Sequence, residues 1–388
     1  MRRGRMIQTV GHAILAILLG LFLGGGPAGA AEPYKIGGLL ETSGFIATLG
    51  NPGLEGARLA VEQVNADGGI NGHPLELVNI NTESDETKAV TAAKRLIEQE
   101  KVLAIVGAMS SGSSFAITDT VQRARVPVVA NGASRGIVLP PDQKRWLFLV
   151  PLTDVLVQGR MLEHMKRQGI ARIALLNSDV AFGTSGREQL ERLAPAQGLR
   201  VVIQQTFGNA DQDMTPQLTK VRASDAQATV IWATGPGLAI ATKNYRQLGI
   251  NTPLYVSHAG NDFNYLRLAG DSANGVWLPS SKIYVAGSLP ATDPQRAVIE
   301  RFVAAYEKKY GKKPATFSGN GYDSVMILAA ALRKAGPDRE KIRDAIEGLT
   351  GHVGVTAVYS YSPTDHFGAS EDSVVMLQAK GGGFELAK

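Results

Sequence analysis

Hydrophobic and polar positions follow two alternating patterns along the chain, short apolar runs and longer amphipathic stretches. The run YKIGGLL (34–40) predicts a strand, and GLEGARLAVEQVNADGG (53–69) predicts a helix that ends at its glycines. HPLELVNI (73–80) predicts the next strand, and Asp85 is placed to cap the helix DETKAVTAAKRLIEQ (85–99). Strands that alternate with helices form parallel sheets covered by helices, so the pattern predicts an α/β fold.

The alternation starts again near residue 171, where ARIALLN, GTSGREQLERLAPAQG and LRVVIQQTF repeat the order strand, helix, strand. The two halves also keep register. Gly72 and Gly198 precede equivalent β-α-β units, and each lies 34 positions before the matching strand residue, Val106 or Trp232. We interpret this spacing as two doubly wound lobes of the same topology.

The tail departs from the alternation with three helical patterns and two strand-like runs. The helical patterns are DPQRAVIERFVAAYEKKYG (293–311), YDSVMILAAALRKAG (322–336) and DREKIRDAIEGL (338–349). The runs VTAVYSY (355–361) and SVVMLQAK (373–380) follow them. Because these elements come so late, we expect the helices to return to the first lobe and the strands to join the second.

The order of the predicted elements divides the chain into two lobes, and the chain crosses between them several times. The first lobe is predicted to hold residues 32–153 and about 280–350, and the second lobe residues 154–279 and about 351–388. Segments that cross between two lobes in this way form a hinge. The length of the chain, 388 residues, agrees with two domains rather than one.

The first 31 residues have the features of a cleaved secretory signal. Three arginines lie within the first five positions, an apolar segment follows at 12–25, and a small-residue A-x-A site occupies 28–30. The apolar segment is shorter than the ~20 residues that a membrane span needs, which disfavours the alternative of an uncleaved anchor. The signal predicts a periplasmic protein.

Composition narrows the class of function further. The chain has no cysteine, so it has neither a disulfide nor a cysteine for a lipid anchor. Of its 40 basic residues three belong to the signal, which leaves 37 against 35 acidic residues and excludes a strongly basic surface for nucleic acid. The 6 histidines are scattered, so we expect no metal site and no cofactor.

Four segments rich in small and polar residues follow predicted strands, the place where ligands bind in open α/β sheets. They are LETSGFIATLGN (40–51), AMSSGSS (108–114), ANGASRG (130–136) and VSHAGND (256–262). In AMSSGSS, Ser110 and Ser111 stand at a predicted helix N-terminus, which favours a carboxylate or phosphate. The alternative is that one serine only caps the helix.

The segment GASRG (132–136) matches the nucleophile-elbow pattern G-x-S-x-G of serine hydrolases. That motif requires a helix directly after the serine, and Pro140-Pro141 prevents a helix of useful length. A secreted hydrolase that uses Ser134 therefore remains the less favoured alternative, and we expect the protein not to be an enzyme.

Several motifs together resemble a known family. They are KIGGLLETSG, EGARLAVEQVNADGGINGHPLELV, VLAIVGAMSS, VPVVANGAS and GYDSVMILAAALRKAG. This set resembles the periplasmic substrate-binding proteins of the branched-chain (hydrophobic) amino-acid uptake family, which serve ATP-driven importers. The resemblance implies a type I periplasmic binding protein, with two Rossmann-like lobes and a three-segment hinge that close on a ligand. It also implies a monomer whose partners are membrane permease subunits, or alternatively a receptor in sensing.

The resemblance assigns roles to individual positions. The family holds the carboxylate of an amino acid with a serine at the position of Ser111, and it holds both ends of the amino acid with a triplet that Gly132, Ala133 and Ser134 match. Amino-acid binders of the family place an acid in the second lobe at the position of Ala259. A shift of one residue in this loop would instead make Asp262 the partner of the ammonium.

Two further substitutions make the implied site more apolar. A tyrosine of the family becomes Phe182, and an aromatic residue of the first loop becomes Leu49. We therefore expect a carboxylate without an α-ammonium, whose apolar or aromatic body lies against Leu49, Phe45 and Phe182. His258 is expected to meet a ring hydroxyl or carbonyl of the ligand. A hydrophobic amino acid remains the alternative ligand.

Overall fold

The computed structural model describes residues 31–387, and residues 1–30 of the predicted signal lie outside this part. The first lobe is built on a five-stranded parallel sheet with the order β2-β1-β3-β4-β5. Its strands are β1 (Tyr34–Leu39), β2 (Leu75–Asn79), β3 (Ile105–Gly107), β4 (Val128–Ala130) and β5 (Leu147–Leu149). Its connecting helices are α1 (Ala47–Ala66), α2 (Glu86–Glu98) and α3 (Ser111–Ala124).

The second lobe is built on a seven-stranded sheet with the order β14-β13-β10-β9-β8-β6-β7. Its parallel strands are β6 (Arg172–Ser178), β7 (Arg200–Phe207), β8 (Ala228–Trp232), β9 (Leu254–Val256) and β10 (Trp277–Ser280). Its helices are α4 (Asp154–Arg167), α5 (Ala181–Leu193), α6 (Thr215–Arg222), α7 (Gly235–Gln247) and α8 (Phe263–Ala269). The edge strands β13 (Val375–Lys380) and β14 (Gly383–Leu386) are antiparallel.

Three helices follow the second sheet in the chain: α9 (Arg296–Tyr310), α10 (Thr316–Ala335) and α11 (Arg339–Glu347). The helix α10 crosses α1 at backbone contact distance. A Cβ atom on Gly56 would lie 1.8 Å from the Ser318 carbonyl oxygen, and one on Gly321 would lie 1.9 Å from the Gly53 carbonyl oxygen. These glycines let a late helix fill the face of the first sheet, as the sequence predicts for residues 322–336.

The helix α1 begins six residues earlier than the apolar pattern indicates, at Ala47 instead of residue 53, and it contains Pro52. The extra turn requires a glycine at position 50, because a Cβ atom there would lie 1.7 Å from the carbonyl oxygen of Glu41. Pro52 is the sixth residue of this helix and has no N–H to donate to the Thr48 carbonyl, so the helix continues through it without that hydrogen bond. The longer helix brings Leu49 to the edge of the cleft.

The predicted strand 355–361 does not join the second sheet. It forms a two-residue strand β12 (Val358–Tyr359) that pairs with β11 (His352–Val353). The hydroxyl of Tyr361 donates to the Leu149 carbonyl at 2.7 Å, at the end of the first sheet. The structure therefore divides the segment 351–388, which the sequence assigned to the second lobe, and only β13 and β14 lie in the second sheet.

A buried carboxylate explains this difference. Asp323 of α10 accepts hydrogen bonds from the backbone N–H groups of Val355 and Thr356 at 2.7 and 2.8 Å, and from the Tyr359 hydroxyl at 3.1 Å. Burial raises the pKa of Asp323 to about 6. The segment is thereby fixed to the first lobe by polar contacts that an apolar pattern does not reveal.

We predict that Asp323→Ala lowers the free energy of unfolding by about 3–5 kcal/mol, because it leaves buried donors without an acceptor. Asp338→Ala is the control, since Asp338 only caps α11 through the N–H of Lys341, and its loss should amount to about 1 kcal/mol. Urea unfolding followed by circular dichroism measures both. Equal losses in the two variants would contradict the assignment.

Candidate functional site

A cavity of about 240 Å³ lies between the carboxyl ends of the two sheets. Its walls come from the segments that follow all five strands of the first sheet, from those that follow β6, β8 and β9 in the second lobe, and from the start of α10. The lining residues are Phe45, Ile46, Leu49, Ser84, Glu86, Met109, Ser110, Ser111, Gly112, Asn131, Ala133, Pro151, Leu152, Asp179, Val180, Ala181, Phe182, Thr234, His258, Ala259, Asn261, Thr316, Phe317 and Asn320. Eight of the ten predicted site residues are among them.

Two serines form one end of the cavity. Ser110 is the N-cap of α3, and its Oγ accepts from the N–H of Ser113 at 3.1 Å, so the capping alternative is correct for this serine. Ser111 is the first helical residue and is 4% exposed. The first N–H groups of a helix have no intrahelical acceptor, so those of Ser111 and Gly112 remain for a ligand. This end of the cavity therefore suits an anionic group.

A buried acid that the sequence analysis missed lies behind this end. The carboxylate of Glu41 accepts from the backbone N–H groups of Met109 and Ser110, at 2.8 and 3.3 Å. Burial raises the pKa of Glu41, while these hydrogen bonds oppose the rise. Glu41 therefore uses two of the N–H groups before α3, and the carboxylate of a ligand is left with those of Ser111 and Gly112. Its position directly after a buried strand was the available signal.

The predicted triplet after β4 divides into one lining residue and two supporting residues. Ala133 lines the cavity. Gly132 allows close packing, since a Cβ atom there would lie 2.9 Å from the Cα of Ser111. Ser134 is fully buried, lies outside the lining, and donates its backbone N–H to the Ser111 Oγ at 3.4 Å. Gly132 and Ser134 thus act through Ser111 rather than at the cavity wall.

The nucleophile-elbow interpretation finds no support in the structure. A single 3-10 turn, Arg135–Ile137, follows Ser134 in place of a helix. The Ser134 Oγ has no hydrogen-bond partner among residues 31–387, so no histidine of the described chain activates it.

The second lobe contributes an aromatic wall. Phe182 stacks on Trp232 with ring centroids 5.6 Å apart and lies 5.4 Å from the His258 ring. Burial lowers the pKa of His258 to about 4, so the ring is neutral at neutral pH and supplies no cation for a carboxylate. This part of the cavity therefore offers a ligand aromatic surface and no positive charge.

The position predicted to lack an acid does lie at the cavity. Ala259 lines it and is 6% exposed. Asp262 does not line it; its carboxylate caps α8 and accepts from the N–H of Asn264 at 3.0 Å. Burial raises the pKa of Asp262 to about 6. The alternative register, with Asp262 as the partner of an ammonium, is therefore not what the structure shows.

Two acids that the sequence analysis did not single out lie at the mouth of the cavity. Glu86 belongs to the first turn of α2, and its carboxylate lies beside Gly112, where a Cβ atom would be 2.1 Å from Glu86 Oε1. Asp179 follows β6. Both residues are exposed, and the Asp179 carboxylate accepts from the N–H of Asn209 at 2.9 Å. No lysine or arginine of the described residues lines the cavity. Glu86 has no distinguishing signal in the sequence, because it stands at the start of an ordinary amphipathic helix.

A family model described as a periplasmic binding protein matches residues 33–383. The chain belongs to the periplasmic binding protein family. The family resemblance stated from the sequence is thereby confirmed, and so is the type I fold.

Relatives of this binding protein cover nearly its whole length. The Leu/Ile/Val-binding protein homolog 7 of Brucella abortus (strain 2308) is 26% identical over 359 residues, which is 89% of this chain and 88% of that protein. A leucine-binding protein LivK from Thermotoga maritima has a TM-score of 0.81 at 26% identity, with 91% of this chain and 97% of that chain covered. An extracellular ligand-binding receptor from Rhodopseudomonas palustris HaA2 shows the same fold, with a TM-score of 0.86 at 24% identity and coverage of 92% and 100%.

These relatives and structural neighbours are substrate-binding proteins and not enzymes, and this chain is likewise a substrate-binding protein. Proteins of this family work outside the cytoplasm. Across the described residues, no helix combines the length and apolarity needed to cross a bilayer.

The neutral His258 generates a prediction about pH. Its pKa is about 4 in the folded protein and ~6.5 in an unfolded chain, so the unfolded chain binds an extra proton as the pH falls below 6.5. This histidine should therefore remove up to about 3 kcal/mol of stability between pH 6.5 and 4. His258→Gln should lose less stability over this interval than the wild type in urea titrations. Parallel losses would contradict a buried, neutral His258.

Proposed function

We propose that this protein is the extracytoplasmic solute-binding subunit of an ABC importer, and that it captures a small carboxylate with an apolar or aromatic body. The observation that carries the proposal is the polarity of the cavity. The end at Ser110 and Ser111 adjoins free N–H groups of α3. The rest of the buried wall combines apolar residues with uncharged polar side chains, which are those of Asn131, Thr234, His258, Asn261, Thr316 and Asn320. The ligand carboxylate lies at the serine end, and Leu49, Phe45 and Phe182 cover the body.

The helix α3 supplies much of the anion affinity. It is 14 residues long, and its dipole places partial positive charge at Ser111 and Gly112. Hydrogen bonds from N–H and hydroxyl donors to a charged acceptor contribute roughly 1.5–3 kcal/mol each. With a neutral His258 and no basic residue in the described lining, these donors are what neutralises the carboxylate.

Electrostatics favour a ligand without an α-ammonium. No residue of the described lining that is itself buried carries an acidic side chain. Burying an unpaired ammonium is unfavourable by several kcal/mol. Glu86 and Asp179 are exposed, and an exposed ion pair contributes only about 0–1 kcal/mol. The acids at the mouth therefore do not offset the desolvation of an ammonium deeper in the cavity.

A hydrophobic α-amino acid is the second candidate, and two observations favour it. Glu86 and Asp179 are the only charged residues in the described lining, and both would attract an ammonium. The LivJ substrate-binding protein of Streptococcus pneumoniae, 25% identical with a TM-score of 0.80, was solved in complex with isoleucine. In this case the carboxylate would still bind at Ser111, while the ammonium would face the mouth.

Closure of the lobes couples binding to transport. The lobes already approach each other in the structure, where Gly235 adopts a φ of +63° and a Cβ atom on it would lie 2.6 Å from the Phe45 carbonyl oxygen. A ligand that contacts both walls stabilises this closed form, which then docks on the permease subunits as a monomer. A receptor role would use the same closure, and growth on the ligand after deletion of the permease genes distinguishes the two.

We predict that benzoate raises the melting temperature of the wild type, whereas L-leucine does not, because a ligand of the native state stabilises it. Ser111→Ala should weaken benzoate binding by about 10-fold or more, because one donor to a charged group is lost. Ser113→Ala is the matched control, since the Ser113 Oγ lies outside the lining and has no partner in the described chain. Thermal shift and calorimetry measure both effects. A large shift with leucine and none with aromatic carboxylates would reject the first candidate.

The acids at the mouth give opposite results for the two candidates. The double variant Glu86→Gln and Asp179→Asn removes negative charge from the lining, so it should strengthen carboxylate binding slightly, by about 2-fold to 5-fold at low salt. If the ligand is an amino acid, the same variant weakens binding instead. The sign of the change in Kd, measured by calorimetry at 20–50 mM salt, therefore decides between the candidates.

A further inference from the structure

One fully buried carboxylate lies outside the cavity but touches segments that form both of its walls. Asp154 begins α4, and its Oδ1 accepts from the backbone N–H groups of Arg135 at 3.3 Å and Val155 at 2.9 Å. The hydroxyl of Ser185 donates to its Oδ2. The backbone N–H of Asp154 donates to the Ala133 carbonyl at 3.2 Å. We call these residues the Asp154 cluster.

The residues of the Asp154 cluster come from segments that form opposite walls of the cavity. The turn 133–135 follows β4 of the first lobe and supplies Ala133 to the cavity. Ser185 belongs to α5 of the second lobe, which supplies Phe182 to the opposite wall. Asp154 itself stands where the chain first enters the second lobe, directly after the crossing between β5 and α4. The two walls are therefore joined through one carboxylate.

A second contact continues this junction toward the surface. The Arg135 guanidinium donates to the Gln189 side-chain oxygen at 3.4 Å, one helical turn beyond Ser185 on α5. The same guanidinium lies 6.0 Å from the centre of the Phe367 ring, on the returning segment of the chain. The turn 133–135 thus contacts α5 through both its backbone and a side chain.

We propose that Asp154 is a positioning residue for lobe closure, which holds the turn 133–135 against α5 and thereby stabilises the closed cavity without touching the ligand. A buried carboxylate is stable only while its donors are present. When the turn 133–135 moves away from α4 and α5, the carboxylate loses the N–H of Arg135 and keeps only the donors of Val155 and Ser185. The closed arrangement is the one that satisfies it fully.

This inference rests on the proposed function only in so far as a ligand is needed to measure affinity. A residue that stabilises the closed form raises apparent affinity by increasing the population of the binding-competent state. Couplings of this kind usually change affinity by 5-fold to 150-fold. Loss of the Ser185 hydroxyl, which removes one donor and leaves the carboxylate in place, is expected to fall near the lower end of this range.

The test uses the absence of cysteine from the sequence, because two introduced cysteines are then the only labelling sites. Lys94 of α2 and Lys220 of α6 are exposed residues on the first and second lobes. Full-length protein with Lys94→Cys and Lys220→Cys, carrying spin labels, reports the distance between lobes. The variant Ser185→Ala is compared with Asp338→Asn, a control whose carboxylate caps α11 far from the cluster. Asp154→Asn serves as a second variant of the same size.

We expect Ser185→Ala to bind the probe that the wild type binds, benzoate or L-leucine, at least 5-fold more weakly. We also expect it to lose part of the short-distance population before any ligand is added, while Asp338→Asn keeps both properties. Wild-type affinity and an unchanged distance distribution in Ser185→Ala and Asp154→Asn would overturn the inference. If the wild type binds neither probe, the proposed function fails, and the distance distribution of the ligand-free variants still tests the Asp154 cluster.

Discussion

A charge enclosed between two protein lobes must find hydrogen-bond donors or an opposite charge there, because the water that stabilised it has been removed. In this cavity the helix N–H groups left for a ligand are those of Ser111 and Gly112, where α3 begins, and the hydroxyls of Ser110 and Ser111 lie beside them. The opposite requirement is an acid for a buried cation, and among the described lining residues only the exposed Glu86 and Asp179 are acids. Because the donors are buried and the acids are exposed, we expect the buried end of the ligand to be its negatively charged end.

The protein satisfies its own buried carboxylates by the same rule. Glu41 accepts from the N–H groups before α3, Asp323 from the segment after β11, and Asp154 from the turn after β4. Each of these acids joins elements that are distant in sequence, and Glu41 and Asp154 do so beside loops that line the cavity. Buried polar contacts therefore do more than stabilise the fold. They fix the relative positions of the walls that a ligand must touch.

The sequence predicted the parallel lobes well, because apolar periodicity reports on burial and the central strands β3, β4, β8 and β9 are buried along their whole length. The α3 serines were predicted for the same reason, since they follow such a strand, whereas Ala259 and Phe182 were predicted from the family resemblance. Residues 355–361 were predicted to join the second lobe, and this was wrong. They return to the first lobe because of the hydrogen bonds to Asp323, and buried polar contacts leave no periodic pattern in the sequence. Glu41, Glu86 and Asp179 were missed since their roles depend on which loops the fold brings together.

The most direct test of the account compares two ligands that differ only in the α-ammonium group. 4-Methylpentanoate and L-leucine have the same carbon skeleton and the same carboxylate, so their difference in binding free energy isolates the charge in question. Isothermal titration calorimetry should show 4-methylpentanoate binding at least 10-fold more tightly than L-leucine. Tighter binding of L-leucine would contradict the claim that the buried end of the cavity holds a carboxylate with no partner for an ammonium.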